Sequence, residues 1–267
     1  VTDRARSLAQ IAKSFSRSEL RITIDQNLFL PWVPEKSLSA LYDALSKISL
    51  ADAGAETLDD TTTCPGADTC RLGITSAKGL GAHISSMVTN GLARYKELTK
   101  DLKVKISGCP NGCAQHGVAN IGFQGAALAQ DGKTVPAHEL FVGGGSDLDR
   151  TTFGERLGKF PAANCGKVVE ALVELYSKER KNTESFNACM ARIGKDRIKE
   201  LLAPLAAIPT FDENPEFYKD WGHENEKFAV RTGIKGECAG VPVQEKIPHI
   251  ETAKERLAQA EAFLTHK

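Results

Sequence analysis

The spacing of apolar and polar residues predicts a small α+β unit at the start of the chain. Apolar residues recur at helical spacing over residues 1–18 and again over residues 37–48. Between them, residues 20–33 begin with the alternation of a half-buried strand, become apolar and stop at Pro31. A strand between two helices is an α+β arrangement, which we assign to residues 1–50.

The chain after residue 50 continues the α+β pattern. Residues 51–63 are polar and rich in Gly, Asp and Thr, which predicts a loop. The same periodicities predict helices over residues 76–102, 164–180, 186–202 and 251–267, and short strands over residues 102–107, 117–125 and 139–145. Because the composition changes after residue 180, we separate a domain over residues 51–180 from a C-terminal extension of unknown role over residues 181–267.

Composition and charge exclude several classes of function. The 267 residues contain 34 Lys and Arg against 34 Asp and Glu, so no net field favours nucleic acid or an acidic membrane surface as a partner. No apolar run approaches the roughly 20 residues of a membrane span, and the first residues lack the apolar core of a signal peptide. We therefore expect a cytoplasmic protein with no nucleic-acid or membrane partner.

Four of the seven cysteines lie in two short loops rich in Gly and Pro. Cys64 and Cys70 are separated by five residues, and Cys109 and Cys113 by three. A [4Fe-4S] cluster needs four thiolate ligands, and Gly and Pro beside them leave backbone amides free to point at sulfur. This pattern predicts an iron–sulfur site.

Zinc ligation and simple burial remain open for these cysteines. A structural zinc site usually has about two residues between paired cysteines, which fits spacings of five and three poorly. Buried free cysteines are common in protein cores, but they would not concentrate in two Gly- and Pro-rich loops. An odd, clustered set of seven cysteines also suits a reducing compartment better than a disulfide framework.

The cysteine pattern and its flanks resemble the siroheme-containing sulfite and nitrite reductases. The two loops are 38 residues apart, and the second reads Cys-Pro-Asn-Gly-Cys. A short basic strand precedes it, and Val-x-x-Ile-Gly-Phe-x-Gly and Leu-Phe-Val-Gly-Gly-Gly strands follow. The segment with Asp25, Gln26 and Asn27 is similar to the start of the second half-domain of that family, so the resemblance covers about residues 18–180.

The resemblance implies a fold and a set of ligands. The fold is a ferredoxin-like half-domain followed by a mixed sheet-and-helix domain that binds siroheme and a [4Fe-4S] cluster. The cluster ligands are Cys64, Cys70, Cys109 and Cys113. In the family the last cysteine also bridges to the siroheme iron, so Cys113 is the expected catalytic ligand.

The resemblance also suggests which residues contact the siroheme. Its many carboxylates call for cations and amide donors, and the candidates are Arg21, Gln26, Asn27, Lys105, Asn111, Gly143 and Gly144. Several of these residues fit a role without a cofactor just as well. Arg21 and Lys105 suit a solvated strand face, and the glycines suit close backbone packing.

The resemblance implies reduction of sulfite to sulfide or of nitrite to ammonia, with electrons from ferredoxin or a flavoprotein. The chain matches only the C-terminal half of the family, and the cations that hold the anionic substrate lie mainly in the other half. We therefore expect either an N-terminal half of the same polypeptide, which the missing initiator Met favours, or a partner subunit. The alternative is a non-catalytic [4Fe-4S] electron-transfer or redox-sensing module without siroheme.

Three cysteines and one histidine lie outside this scheme. Cys165 and Cys189 fall on predicted helices, where we expect buried structural thiols. Cys238 lies on a Gly-rich turn, where an ordinary turn cysteine is favoured over a reactive thiol. For His116, which follows Cys113 by three residues, we favour a surface histidine over a cofactor contact.

Overall fold

A computed structural model describes residues 2–146 and 150–230, together with Leu257. Its α-helices are α1 (Thr2–Phe15), α2 (Leu38–Ser46), α3 (Ala77–Gly91), α4 (Lys96–Thr99), α5 (Cys165–Glu179), α6 (Phe186–Ile193) and α7 (Lys195–Leu202). Its strands are β1 (Arg21–Ile22), β2 (Leu28–Phe29), β3 (Thr62–Thr63), β4 (Val104–Ser107), β5 (Ile121–Gln130), β6 (Lys133–Val142), β7 (Gly145–Ser146), β8 (Thr151–Thr152) and β9 (Glu155–Pro161). The predicted α+β class is confirmed.

The first 50 residues form two helices and a short hairpin. Helices α1 and α2 are in contact, and β1 pairs antiparallel with β2. The single strand predicted over residues 20–33 is therefore wrong. The polar turn between β1 and β2 interrupts it, because Gln26 adopts a left-handed conformation with φ of 66° and the Thr23 N–H donates to the Asn27 carbonyl.

A five-stranded sheet in the order β3-β4-β5-β6-β9 forms the centre of the molecule. Strands β3, β4 and β5 run parallel, and β5, β6 and β9 run antiparallel. The sequence pattern predicted β5 and β6 as short strands, but each has ten residues. Runs of alanine and Pro136 obscure their alternation, and the Asp131–Gly132 turn between them was missed.

Two small strands at the edges of the sheet were also missed. Strand β3 lies at the end of the segment predicted as a loop over residues 51–63. Strand β9 begins with charged residues that hide its alternation. Both strands are at the outer positions of the sheet, where one side of the backbone has no neighbouring strand and propensity is a weak guide.

Helices α3 and α5 pack on each other in the main hydrophobic core, which continues into residues beyond 180. Fully buried members include Leu80, Ile84, Ile106, Phe123, Leu140 and Leu172. The helix predicted over residues 76–102 breaks after Gly91. The helix predicted over residues 186–202 is divided into α6 and α7 by Gly194, whose φ is 89°.

Part of the predicted C-terminal extension therefore shares this core. Phe186, Met190, Ile198 and Leu202 are buried in it together with the helices of the preceding domain. Of the helix predicted over residues 251–267, only Leu257 is described. Within the described ranges, every helix is too short or too polar to cross a bilayer.

Candidate metal centre

The two cysteine loops, residues 64–70 and 109–113, begin at the carboxyl ends of neighbouring parallel strands. Strand β3 ends one residue before Cys64, and β4 ends two residues before Cys109. Thr63 is paired with Ile106 in the sheet, and the Cys64 N–H donates to the Ile106 carbonyl at 3.1 Å. Because the strands are parallel and in register, both loops leave the sheet at the same edge.

Glycines allow the backbones of the two loops to touch. A Cβ on Gly108 would lie 2.7 Å from Gly66 Cα and 2.6 Å from the Thr75 carbonyl oxygen, so no side chain fits there. Gly66 also has φ of 60°, which favours glycine. The N–H of Ile74 donates to the Gly108 carbonyl at 2.8 Å. These contacts fix the first loop against the start of the second.

The four thiols differ in exposure and in their partners. Cys64 and Cys109 are buried, Cys70 is half-buried and Cys113 is exposed. The Cys64 Sγ accepts hydrogen bonds from the backbone N–H groups of Gly66, at 3.3 Å, and of Gly108, at 3.1 Å. Backbone donors of this kind stabilise a thiolate or a cluster sulfur.

The surroundings of the Cys109 thiol include the other three cysteines of the two loops. Burial raises the pKa of the Cys109 thiol, and a hydrogen bond from the Asn111 backbone lowers it. Negative charge on Cys64, Cys113 and Cys70 raises the pKa further. The structure therefore brings the other three sequence-predicted cysteines within electrostatic reach of Cys109.

This donor set fits a polynuclear cluster better than a single ion. A zinc ion would draw its ligands to about 2.3 Å from one centre, whereas each thiolate of a [4Fe-4S] cluster binds a different iron. Among the described residues, no three His, Cys, Asp or Glu side chains are placed to share one ion. Four thiols in two glycine-packed loops, with backbone N–H donors to sulfur, define the class of iron–sulfur domains.

Family comparison agrees with this class. Residues 54–209 match the family model described as the nitrite and sulphite reductase 4Fe-4S domain, and residues 2–48 match the nitrite/sulfite reductase ferredoxin-like half domain. The chain belongs to the nitrite and sulphite reductase 4Fe-4S domain family. The predicted resemblance and the ferredoxin-like half-domain are confirmed.

Individual relatives include both nitrite and sulfite reductases. The chain is 34% identical over 145 residues to the chloroplastic ferredoxin–nitrite reductase of Zea mays, covering 52% of this chain and 25% of the relative. It is 28% identical to the assimilatory ferredoxin-dependent nitrite reductase of Haloferax mediterranei, and this match covers 75% of this chain and 34% of the relative. It is 25% identical to the sulfite reductase [NADPH] hemoprotein beta-component of Buchnera aphidicola, and this match covers 69% of this chain and 31% of the relative.

The chain therefore matches only between a quarter and about a third of the length of these relatives. A solved structure, that of the Mycobacterium tuberculosis NirA protein, aligns with a TM-score of 0.65 at 22% identity. That alignment covers 73% of this chain and 36% of NirA. At this identity it shows a shared fold.

The predicted siroheme contacts near the start of the chain are engaged within the protein. Arg21 is half exposed and forms an ion pair with Glu19 at 2.6 Å. The Gln26 side-chain amide is hydrogen-bonded to the backbone of Thr63. The Asn27 side chain donates to an Asp60 carboxylate oxygen at 2.6 Å. A siroheme role for these three residues stays a prediction.

The remaining predicted contacts lie in different surroundings. Lys105 is buried rather than solvated, with its Nζ 2.8 Å from Asp25. Asn111 is exposed within the second loop. Gly143 has φ of 88° and open space around it, whereas a Cβ on Gly144 would be 2.7 Å from two backbone oxygens. Close backbone packing requires glycine at position 144, and siroheme contact stays a prediction for all four residues.

A polar cavity of about 560 Å³ lies beside Lys105. Asp25, Lys103, Gln115 and Gly145 are among its lining residues. The cavity brings the β1–β2 turn, β4 and the glycine-rich segment after β6 to one place. The sequence pattern could not show this, because these segments are far apart in the chain.

His116 is not the surface histidine that the sequence suggested. It is 7% exposed, its Nδ1 lies 2.9 Å from the Ser107 Oγ, and burial lowers its pKa. The cause is Gly122, because a Cβ there would lie 1.9 Å from the His116 carbonyl oxygen. Only a glycine at this position of β5 lets the His116 turn press against the sheet.

Two expectations for the remaining cysteines have different outcomes. Cys165 and Cys189 are fully buried in helices α5 and α6, as predicted. Cys238 lies outside the described residues.

The segment after residue 208 contributes contacts that no sequence pattern indicated. Asp220 accepts a hydrogen bond from the Ser76 N–H at 2.6 Å, at the start of α3. Trp221 stacks on His83 with ring centroids 3.8 Å apart. His223 lies 2.9 Å from an Asp68 carboxylate oxygen in the first cysteine loop. This segment therefore covers one side of that loop.

Proposed function

We propose that this chain is the cluster-bearing part of a siroheme-dependent reductase that converts sulfite to sulfide or nitrite to ammonia in a six-electron reaction. Membership of the 4Fe-4S domain family and relatives named as nitrite or sulfite reductases support this class. The observation that carries the proposal is the pair of loops with two buried thiols, one half-buried thiol and one exposed thiol.

The proposed cluster ligands are Cys64, Cys70, Cys109 and Cys113. Burial of Cys64 and Cys109 keeps water from the inner side of the site, and backbone N–H donors hold negative charge on sulfur. The exposed Cys113 is free to face a second group outside this chain, which we propose to be the siroheme iron. When bound, the two cofactors supply single electrons and an iron that binds the anion.

We propose that another part of the same polypeptide, or a partner subunit, covers the half-domain. Its surface leaves large apolar side chains exposed, including Ile22 at 83%, Ile24 at 71%, Trp32 at 58% and Tyr42 at 61%. A group of apolar residues this exposed marks an interface. The chain also spans only a fraction of the length of its relatives. That missing part would supply the cations that hold sulfite or nitrite.

The electron donor is proposed as ferredoxin or a flavoprotein. The plant and archaeal relatives are named as ferredoxin enzymes, and the Buchnera relative is named as an NADPH enzyme. Both kinds of donor fit a protein that passes electrons singly through a cluster. A cytoplasmic location is kept as part of this proposal.

A visible absorption spectrum of the anaerobically purified, full-length protein tests the proposal. We expect a Soret band and long-wavelength siroheme bands that are perturbed by the cluster. A broad shoulder without these bands would instead identify an electron-transfer or redox-sensing module without siroheme.

The substitution Cys113→Ser tests the shared ligand. We expect the siroheme coupling and the reductase activity to be lost together, because one thiolate serves both groups. Cys238→Ser is the control and should leave the spectrum intact. An unchanged haem spectrum in Cys113→Ser would rule out the bridging role.

A further inference from the structure

Three consecutive polar residues in the β1–β2 turn bind the part of the chain that carries the cysteine loops. Asp25 lies 2.8 Å from the Lys105 Nζ in β4. The Asn27 side chain donates to Asp60, which in turn accepts from the Glu56 N–H at 2.7 Å. Gln26 lies between Asp25 and Asn27 in the turn, and its side chain is hydrogen-bonded to Thr63 at the end of β3. The turn thus fastens the half-domain to both strands that lead into the cysteine loops.

Gln26 binds the peptide groups of the residue that precedes Cys64. Its Nε2 donates to the Thr63 carbonyl at 2.7 Å, and its Oε1 accepts from the Thr63 N–H at 3.4 Å. Strand β3 is only two residues long and lies at the edge of the sheet. A side-chain amide offers the same donor and acceptor as a peptide, so Gln26 takes the place of a missing neighbouring strand.

The backbone of Gln26 supports a role for its side chain. Its φ of 66° is disfavoured for residues that carry a Cβ and is easiest for glycine. A residue whose only task was to complete the turn would be glycine or asparagine. From this position the glutamine side chain reaches Thr63 and offers both the donor and the acceptor that the Thr63 backbone requires.

The position of Thr63 determines the surroundings of the Cys64 sulfur. The Cys64 N–H is bound to Ile106 on one side, and the Cys64 Sγ accepts from the N–H groups of Gly66 and Gly108. A shift of β3 along its neighbour would lengthen these N–H···S hydrogen bonds. Such bonds stabilise the more negative, reduced form of a cluster and raise its reduction potential.

We infer that Gln26 is a positioning residue that holds β3, and through it Cys64, in register for cluster binding. Asp25 and Asn27 assist by holding the same turn against β4 and Asp60. The inference rests on the proposed role of Cys64 as a cluster ligand. It assigns to Gln26 a contact with the protein backbone, and the siroheme contact that the resemblance implies stays a prediction.

The test compares Gln26→Asn, Gln26→Gly and Gln10→Asn in the cluster-loaded, full-length protein. Asparagine keeps an amide and tolerates the left-handed conformation, but it is one methylene too short to reach Thr63. Glycine relieves the backbone and removes the amide. Gln10→Asn makes the same chemical change at an exposed residue of α1 that has no side-chain hydrogen bond among the described residues.

Two readouts are measured beside activity: hydrogen exchange of a peptide spanning residues 60–66, and the cluster reduction potential. Both Gln26 variants should exchange about five- to tenfold faster there, as expected for losing one or two exposed hydrogen bonds. Their reduction potential should fall. Gln10→Asn should match the wild type in both readouts. Wild-type exchange and potential in the Gln26 variants, or equal changes in Gln10→Asn, would overturn the inference.

A parallel Cys64→Ser variant separates this inference from the proposed ligand set. If Cys64→Ser keeps its cluster, Cys64 is not a ligand and the basis of the inference is removed. If Cys64→Ser loses the cluster while both Gln26 variants behave as wild type, the ligand set stands and the positioning role is wrong.

Discussion

The two cysteine loops differ in how they are held. The first, residues 64–70, is fixed on several sides: β3 pairs with β4, Gly66 touches Gly108, and Gln26 binds the residue before the loop. The second, residues 109–113, begins with a buried thiol and ends with an exposed one. Contacts on several sides hold the first loop, whereas the second loop exposes the thiol of Cys113 at the surface.

This difference suggests a division of labour. Buried thiols with backbone donors anchor a cluster and exclude water, whereas an exposed thiol can be shared with a group bound elsewhere. Substitutions, thiol labelling and the pH dependence of stability test this contrast between the buried thiols and the exposed thiol of Cys113.

Replacing the buried thiol of the second loop should abolish cluster binding. Cys109→Ser removes a soft thiolate ligand from a buried position, so we expect iron and acid-labile sulfide to fall to about a tenth of the wild-type content or less. Both are measured by colorimetric assay. Cys189→Ala, at a buried thiol outside both loops, is the control and should keep its cluster. Equal iron content in Cys109→Ser would contradict the proposed ligand set.

Adding a methyl group where the loops touch should destabilise the protein strongly. The Cβ in Gly108→Ala would lie within 2.6 Å of the Thr75 carbonyl oxygen, which forces the backbone apart. We expect a loss of about 3 kcal/mol or more in the free energy of unfolding, measured with urea.

Gly91→Ala is the matched control for this glycine. It has open space at the end of α3 and should change the free energy of unfolding by less than about 1 kcal/mol. If the two substitutions had the same effect, the loops would not be in the contact described.

Thiol labelling of the cluster-free protein should separate the exposed cysteine from the buried ones. In a Cys238→Ser background, Cys113 should react with maleimide at least about tenfold faster than Cys64 or Cys109, because labelling of a buried thiol requires local opening. Peptide mapping by mass spectrometry identifies each site. Equal labelling rates for Cys113 and Cys64 would remove the contrast between the loops.

The pH dependence of stability should reveal the segment that covers the first loop. Burial raises the pKa of Asp220 from 3.8 to about 6. The folded state therefore holds the proton more tightly than the unfolded state, and stability falls as the pH rises from about 4 to above 6.

Asp220→Asn removes this titration while keeping an acceptor for the Ser76 N–H. As the pH rises from 5 to 7.5, the free energy of unfolding of Asp220→Asn minus that of the wild type should increase by about 1 kcal/mol. Urea unfolding at the two pH values measures the change. A constant difference between the two proteins would show that Asp220 does not ionise in this range.

The cysteine centre was largely predictable because its signal is local. Two loops with fixed spacings, bounded by Gly and Pro, need no knowledge of distant residues, and the structure brings their thiols together. The buried state of Cys165 and Cys189 was predictable for the same reason, since their helices have clear apolar faces.

The missed features depend on contacts between distant segments. Lys105 reads as a solvated strand residue until Asp25 is placed beside it, and the sequence gives no sign that the Gln26 side chain is bonded to Thr63. Burial of His116 follows from the absence of a side chain at Gly122. The periodicity of a segment shows which side of a helix or strand is apolar. It does not show which other helix or strand packs against that side.

We propose that Cys64, Cys70, Cys109 and Cys113 together hold one [4Fe-4S] cluster. The most direct test is the iron, zinc and acid-labile sulfide content of the anaerobically purified protein. The account predicts about four sulfides and at least four irons per chain. Stoichiometric zinc without acid-labile sulfide would contradict it.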